Sequence, residues 1–563
     1  MEPVVKHPLK MNSDVQRIFR RLLSLISSKI RFEESKKLIL KFYPVSDISE
    51  IKRRQEYLKK MFEKAAKVDR IAEIEKPKFR FKRVSDRVLI VKKEDYEKAV
   101  KLGICDVNLE GDYDLVLGSK IHIDELSVEE ILPEIFVTEL YEKKDSLREV
   151  LRVIQLLGVN SVIPAILSEV EQIKDHLEML DAVNYFEDFV YRKLEEIREA
   201  IERRIERERI VLEGKEILEL LEKQDGVFQT KVYEVEEMIV EEIEKAEKEI
   251  AEKFGITYEL FTRQGLPRVN LEGMERARRE VERSAKLEFY LKAREVLRKI
   301  KPLLPKLEDE FHLIFEIEMV KGLEGLFKDY SFPEFQEGII SFVEGRNLFI
   351  EDPQPVSYII GNGMLSDFES NERVVVLTGA NSGGKTSLLN LIVQIQLLAQ
   401  MGFPVPTKVS SLDILDEIYF FRRKKSVYGA GAFESTLKNF TTALSGEGKK
   451  LVLVDEFEAI TEPGAATKML SAFLRIAYER KFYMVVVSHM AENLKLDFVR
   501  IDGIEASGLD EKLELIVDRQ PKFGVIGKST PELIVERVYR MSKGNKKEVL
   551  EKVLEVFKGS ELK

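Results

Sequence analysis

Val374-Val375-Val376-Leu377-Thr378-Gly379-Ala380-Asn381-Ser382-Gly383-Gly384-Lys385-Thr386-Ser387 reads as a buried strand, a glycine-rich turn and the first turn of a helix. From Gly379 to Thr386 it fits the spacing G-x-x-x-x-G-K-[ST] without departure. Loops of this kind turn backbone N–H groups at a helix N-terminus toward phosphate. Lys385 is then placed to neutralise β/γ-phosphate charge, and the Thr386 hydroxyl to ligate Mg²⁺. The nucleotide-binding set is Gly379, Ala380, Asn381, Ser382, Gly383, Gly384, Lys385, Thr386 and Ser387, with ATP and Mg²⁺ as cofactors.

Outward from the loop, Leu451-Val452-Leu453-Val454-Asp455-Glu456 is a second apolar strand, ending in two carboxylates about 70 residues after Lys385. In nucleotide hydrolases the first acid holds the metal and the second polarises the attacking water. A strand ending in Asp-Glu says little alone, but joined to the loop it specifies a hydrolytic site. Met484-Val485-Val486-Val487-Ser488-His489 is a third buried strand with a polar end. A lone His at a strand end is more often structural, but on the third strand of a nucleotide-binding core His489 stands where ABC-type ATPases place a γ-phosphate sensor. The expected catalytic set is Glu456, His489 and Lys385, with Thr386 and Asp455 for the metal. Leu444-Ser445-Gly446-Glu447 looks like a transporter-type signature, yet it lies only about ten residues before Asp455. Ser435 and Thr436, some 20 residues before Asp455, are better placed to reach a partner subunit's nucleotide, which implies a homodimer.

Upstream, residues 1–75 read as a helical segment and residues 76–140 as a small α/β insert with short strands, Val84 to Val91 among them. Residues 141–330 form a charged helical zone, in which Leu194, Ile197, Ile201 and Ile205 draw a narrow apolar seam. The Gly265-Leu266-Pro267 break is expected near the far end of this arm, with a helix from Leu271 to Ile300 returning from it. Residues 331–530 alternate strand and helix, as in a parallel sheet with flanking helices, and residues 531–563 are a helical tail. The fold class is therefore α plus α/β.

The chain has 563 residues, 34% of them charged, and a net charge of −10, so a uniformly basic nucleic-acid coat is excluded. Charge is distributed unevenly, about −7 over Tyr191 to Ile250 and about +5 over Phe261 to Ile300. Cys105, the single cysteine, excludes an intramolecular disulfide and a multi-cysteine zinc site. No stretch approaches the roughly 18 apolar residues of a membrane span, and a cytoplasmic location is expected.

Taken in order, the loop, Gln400-Met401-Gly402-Phe403-Pro404-Val405-Pro406, Glu434-Ser435-Thr436-Leu437, the Asp455-Glu456 strand, Ser488-His489 and Phe523-Gly524-Val525-Ile526-Gly527-Lys528-Ser529 resemble the ATPase domain of the MutS family. Motif similarity covers about Phe342 to Met541, and upstream only the layout of core, lever, clamp and ATPase is similar. The resemblance implies an ABC-type P-loop ATPase domain, Ser435 acting in trans, and a dimerising C-terminal helical segment. Glu458-Ala459-Ile460-Thr461 replaces the glycine-rich segment usual after the acids, and Glu462-Pro463-Gly464-Ala465-Ala466 looks more like the recombination-suppressing MutS-II branch. Gly345-Arg346-Asn347 replaces the usual Arg-His-Pro. No mismatch-reading front domain and no Smr nuclease are expected.

Between Lys76 and Lys93 eight basic residues face one acid, Asp86. Phe79 and Phe81 alternate with Lys78, Arg80 and Lys82, which on a strand puts rings on one face and charge on the other. Lys78, Arg80, Lys82, Arg263 and Arg268 are the candidate DNA contacts, whereas Arg422-Arg423-Lys424-Lys425 reads as a solvated loop. The expected function is an ATP-dependent dimeric clamp on branched DNA, without sequence preference. A ribosome-associated ATPase and a mismatch sensor remain as alternatives.

Overall fold

Strands such as Leu451-Val-Leu-Val and Met484-Val-Val-Val are apolar on both faces, which suits only a parallel sheet covered on both sides. The computed structural model describes residues 7–109, 111–208, 214–221, 226–326, 330–379, 384–422, 430–456, 463–491, 494, 496–509, 515–527 and 531–557. They divide into two units, Met1–Asp69 with Leu313–Lys563, and Arg70–His312.

In the first unit six parallel strands lie in the order Lys10–Met11, Glu417–Phe421, Lys450–Asp455, Tyr483–Val487, Val374–Gly379 and Arg500–Ile504. A second sheet of four strands contains Ile339–Gly345 and Val356–Gly361. The helix Lys385–Met401 is buried along nearly its whole length. Its amides at Gln394 and Gln400 are tolerated there because each is satisfied. Gln394 donates to Asn347 Oδ1, and Gln400 Nε2 to the carbonyls of Val45 and Leu415, all at 2.8 Å.

The amino-terminal segment belongs to this unit and is not purely helical. Lys10–Met11 extends the sheet beside Glu417–Phe421, and Asn12 continues the pairing with its side chain. Asn12 Nδ2 donates to Phe420 O at 2.8 Å, and Phe420 N–H donates back to Asn12 Oδ1 at 3.2 Å. The same Asn12 oxygen accepts from Val15 N–H and caps the helix Ser13–Ser28.

A buried ion pair holds the far edge of the sheet. Arg500 donates to Asp502 at 2.9 Å, and Tyr358 O–H donates to the same carboxylate at 2.8 Å. Further guanidinium donors go to Ser370 Oγ and Ile359 O. Gly524 N–H adds a bond to Asp502 from the carboxy-terminal tail.

In the second unit, four strands in the order Asp106–Leu109, Val88–Val91, Asp114–Val116 and Lys120–His122 make the small insert. The strand expected over Val84 to Val91 begins at Val88. The alternating Phe-basic stretch around Lys78, Arg80 and Lys82 is not a strand. Phe79 instead stacks on Phe136 with centroids 4.7 Å apart, and Glu139 accepts Lys78 N–H at 2.8 Å, contacts that need no ladder.

The apolar seam does pair antiparallel. Leu194, Ile197 and Ile201 of the helix Phe186–Glu208 share one core with Ile239, Ile243 and Ile250 of the helix Gly226–Phe254. Lys193 with Glu249 and Arg204 with Glu241 fix the direction. The far turn therefore lies between Glu208 and Gly226, where the short helix Gly214–Leu221 sits. The Gly265-Leu266-Pro267 break, expected at the tip, is a small hairpin on the flank, closed by Phe261 against Val269 and accepting Arg198 at Pro267 O. Leu260 and Phe261 bury into the seam, and that apolar contact draws the hairpin back along the helices. The helix Leu271–Ile300 follows from it. No described helix is long and apolar enough to cross a membrane.

Replacing Asp502 with Ala leaves the buried Arg500 only the more distant Glu372 carboxylate, at 3.8 Å. A loss of about 3–5 kcal/mol is expected, read as a fall in the urea midpoint of the full chain.

Candidate functional site

All six strands of the parallel sheet run the same way, so their carboxyl ends gather on one edge, where such sheets bind ligands. The register places Leu377, Val487 and Asp455 in one row. The residues that follow, Thr378-Gly379, Ser488-His489 and Glu456, therefore share that edge. Gly379 pairs with Ile504 at close range and has φ 115°; a Cβ there would lie 1.9 Å from Ile504 O. Only glycine fits, which accounts for the first glycine of the loop spacing in backbone terms.

Gly384, with φ 91°, turns the chain into the helix Lys385–Met401. Ala380, Asn381, Ser382 and Gly383 lie outside the described residues. Lys385 is only 4% exposed, and its Nζ donates to Gly379 O at 2.6 Å, spanning the base of the loop. The Thr386 hydroxyl donates to Asp455, 2.9 and 3.1 Å from its two carboxylate oxygens. These are the two residues assigned to the metal, and the fold brings them together from 69 positions apart. Burial pushes the Asp455 carboxyl above its ordinary value, and Glu456 pushes the same way, while Thr386, Arg422 and Lys385 oppose it.

Glu456 has φ 52°, a left-handed conformation that a non-glycine residue adopts only under constraint. The strand ends at Asp455, directly before this residue. Ser488 is fully buried and its N–H donates to Leu377 O at 3.2 Å, which pins the third strand to the loop strand. His489, the next residue, is exposed at the end of that strand. Ser387, in the first helical turn, presents its carbonyl to Asn347 Nδ2 at 2.9 Å. Ser435 and Thr436 fall within the helix Ala430–Leu444, with side chains outside the described residues. Leu444-Ser445-Gly446-Glu447 is the turn after that helix, where Lys450 donates to Ser445 O.

Three features escaped sequence reasoning. Arg422, read as part of a solvated loop, is half-buried and donates to Asn390 Oδ1; Asn390 in turn donates to Thr386 O at 2.7 Å. Burial lowers the Arg422 pKa, and its field acts on Asp455. Residues 423–429 lie outside the described residues. Asn347, noted only as a departure, bridges the loop helix at Ser387 and Gln394. Gly527 donates its N–H to Thr378 Oγ1 at 2.7 Å; a Cβ on it would lie 3.0 Å from Gly379 Cα. Only the last carried a signal, its glycine in the tail motif.

Of the basic candidates in the second unit, Lys78, Arg80 and Lys82 are exposed, and Arg80 and Lys82 make no ion pair among the described residues. Arg263 is engaged by Glu247 at 3.4 Å, while Arg268 is exposed and holds the hairpin through its backbone. No group of three or more metal-ligating side chains of the His, Cys, Asp and Glu types occurs among the described residues. A Thr–Asp pair of the kind seen here supplies only part of a coordination sphere, as is usual for Mg²⁺ beside phosphate.

A parallel sheet, a glycine turn into a buried helix, and an acidic strand that meets Thr386 beside Lys385 thus converge at one sheet edge. No known family model matches the chain. It is 43% identical over 98% of its length to the DNA-binding protein MutS2 of Pyrococcus furiosus, all of which is covered. It is 27% identical over 218 residues to the Endonuclease MutS2 of Clostridium botulinum, and 26% over 250 residues to that of Ruminiclostridium cellulolyticum. Those matches take in 36% and 42% of this chain and only 25% and 30% of the two relatives. The chain belongs to the MutS family, in its MutS2 branch.

Proposed function

We propose that this chain is a Mg²⁺-dependent ATPase whose nucleotide site lies at the carboxyl edge of the parallel sheet. One observation carries the reading: Thr386 Oγ1 stands 2.9 Å from Asp455, beside a buried Lys385. The residues present fit the group. The left-handed turn at Gly384 is uncrowded and leads directly to Lys385 and Thr386, and a hydroxyl and a carboxylate converge where a hard cation needs oxygen ligands.

Thr386 and Asp455 would hold Mg²⁺, and Lys385 would place its positive charge against the phosphates. Bound Mg²⁺ supplies Lewis-acid stabilisation of charge on the phosphoryl oxygens. Glu456 orients a water and accepts its proton. Asn390 and Arg422 keep the first helical turn in place beneath Thr386. His489 completes the edge as a sensor of the terminal phosphate. Ser435 and Thr436 are proposed to act on the site of a second subunit in a homodimer.

Glu456→Gln keeps the shape and removes the base. ATP binding is expected to persist while steady-state phosphate release falls about 10²–10⁴-fold. Unchanged turnover would remove Glu456 from the mechanism.

We propose further that the substrate of the second unit is DNA, gripped through its backbone and best when branched. The Pyrococcus furiosus relative, named as a DNA-binding protein, supports DNA, and the exposed Lys78, Arg80 and Lys82 supply the chemistry for phosphate. Arg263 is the weaker candidate, since acids already engage it. In filter binding, four-way junctions are expected to outcompete plain and mismatched duplexes. Replacing Lys78, Arg80 and Lys82 by Gln should lower the slope of log affinity against log salt by about 1 for each phosphate that is no longer neutralised. Equal affinity for all three DNAs would sink the branched-DNA reading, and a preference for the mismatched duplex would favour mismatch sensing.

A further inference from the structure

The tail that follows the parallel sheet touches the phosphate loop at both ends. At one end Gly527 crosses beneath Gly379, donating its N–H to Thr378 Oγ1. At the other, the stem of Arg519 lies along Gly384: a Cβ on that glycine would meet Arg519 Cγ and Cδ at 3.6 Å. The backbone around Arg519 is fixed independently of its side chain. Gln354 Oε1 accepts Arg519 N–H at 3.4 Å, while Gln354 Nε2 donates to Asp518 at 3.2 Å. Gln520 exchanges two bonds of 2.8 Å with the backbone of Ser357, next to a strand residue, Tyr358, that is tied to Asp502.

A side chain mounted so firmly usually has a partner. Arg519 is exposed, and its guanidinium makes no hydrogen bond or ion pair among the described residues. Among the described residues, the neighbouring cations Lys522 and Arg500 are committed, Lys522 to Glu505 at 2.7 Å and Arg500 to Asp502. Five N–H donors in a planar fork therefore stand unspent beside the last glycine before Lys385.

We propose that Arg519 is a phosphate-contacting residue of the nucleotide site, reaching past Gly384 to the oxygens of a nucleoside triphosphate. This rests on the ATP reading above and adds a wall to the site that the loop motif does not contain. Charge-assisted bonds from guanidinium to phosphate are strong and geometrically selective, so Arg519 favours nucleotides by their phosphates and is indifferent to the base.

The test is equilibrium binding of a fluorescent ATP analogue to the full chain, with ATP, ADP and adenosine as competitors. Wild type, Arg519→Ala, Arg519→Lys and Lys385→Ala are compared. Arg519→Ala is expected to weaken ATP about tenfold or more, to leave adenosine unchanged, and to unfold at the wild-type temperature because the side chain is exposed. Arg519→Lys should recover part of the loss, keeping the charge without the fork. An ATP affinity in Arg519→Ala within about twofold of wild type, or an equal loss for adenosine, overturns the proposal. Wild-type protein that fails to bind ATP, or binding untouched by Lys385→Ala, fails the ATP reading itself and takes the proposal with it.

Discussion

The site depends on parallel register. Because Val374–Gly379, Lys450–Asp455 and Tyr483–Val487 all run one way and are paired residue for residue, Leu377, Asp455 and Val487 fall in a single row. A slip of one residue would send Asp455 to the other face of the sheet and part it from Thr386. The register is strongly specified, since each of these strands is buried on both faces. Hydrophobic burial thus sets where the carboxylates stand, although none of the burying residues takes part in the chemistry.

Around that row the structure accepts costly arrangements. A charged pair is buried at Arg500 and Asp502, glycine backbones cross at Gly379, Gly503 and Gly527, and Glu456 sits in a left-handed turn. The pair and the crossing tie distant pieces of chain to the sheet edge. Asp502 gathers Tyr358 of the second sheet and Gly524 of the tail, and Gly527 gathers the tail beneath the loop. Local strain and desolvation are offset by the surrounding core, as is common where function fixes the geometry.

What could be read in the sequence follows from which interactions are local. The loop spacing, the apolar strands ending in Asp455-Glu456 and His489, and the seam Leu194-Ile197-Ile201 are short-range patterns with a direct physical cause. The roles of Arg422, Asn347 and Arg519 are not local at all: each is decided by a neighbour from another part of the chain, Asn390, Ser387 and Gly384. Lys10–Met11 pairs with residues 407 positions away, which no periodicity within 1–75 could reveal. The failures have the same origin. Alternation of Phe79 and Phe81 with basic residues has the period of a strand, but Phe136 and Glu139 offered a better use for that backbone and ring. The Gly265-Leu266-Pro267 break marks a turn correctly; only packing of Leu260 and Phe261 puts it on the flank and not at the tip.

The central claim is that Thr386 and Asp455 form one metal–nucleotide site. It is tested most directly by Mn²⁺ binding in the presence of ATP, followed by electron paramagnetic resonance, in wild type and in Asp455→Asn. A shared site requires Mn²⁺ to bind with ATP in wild type and its affinity to fall about tenfold or more in Asp455→Asn. Equal Mn²⁺ affinity in the two proteins would contradict it.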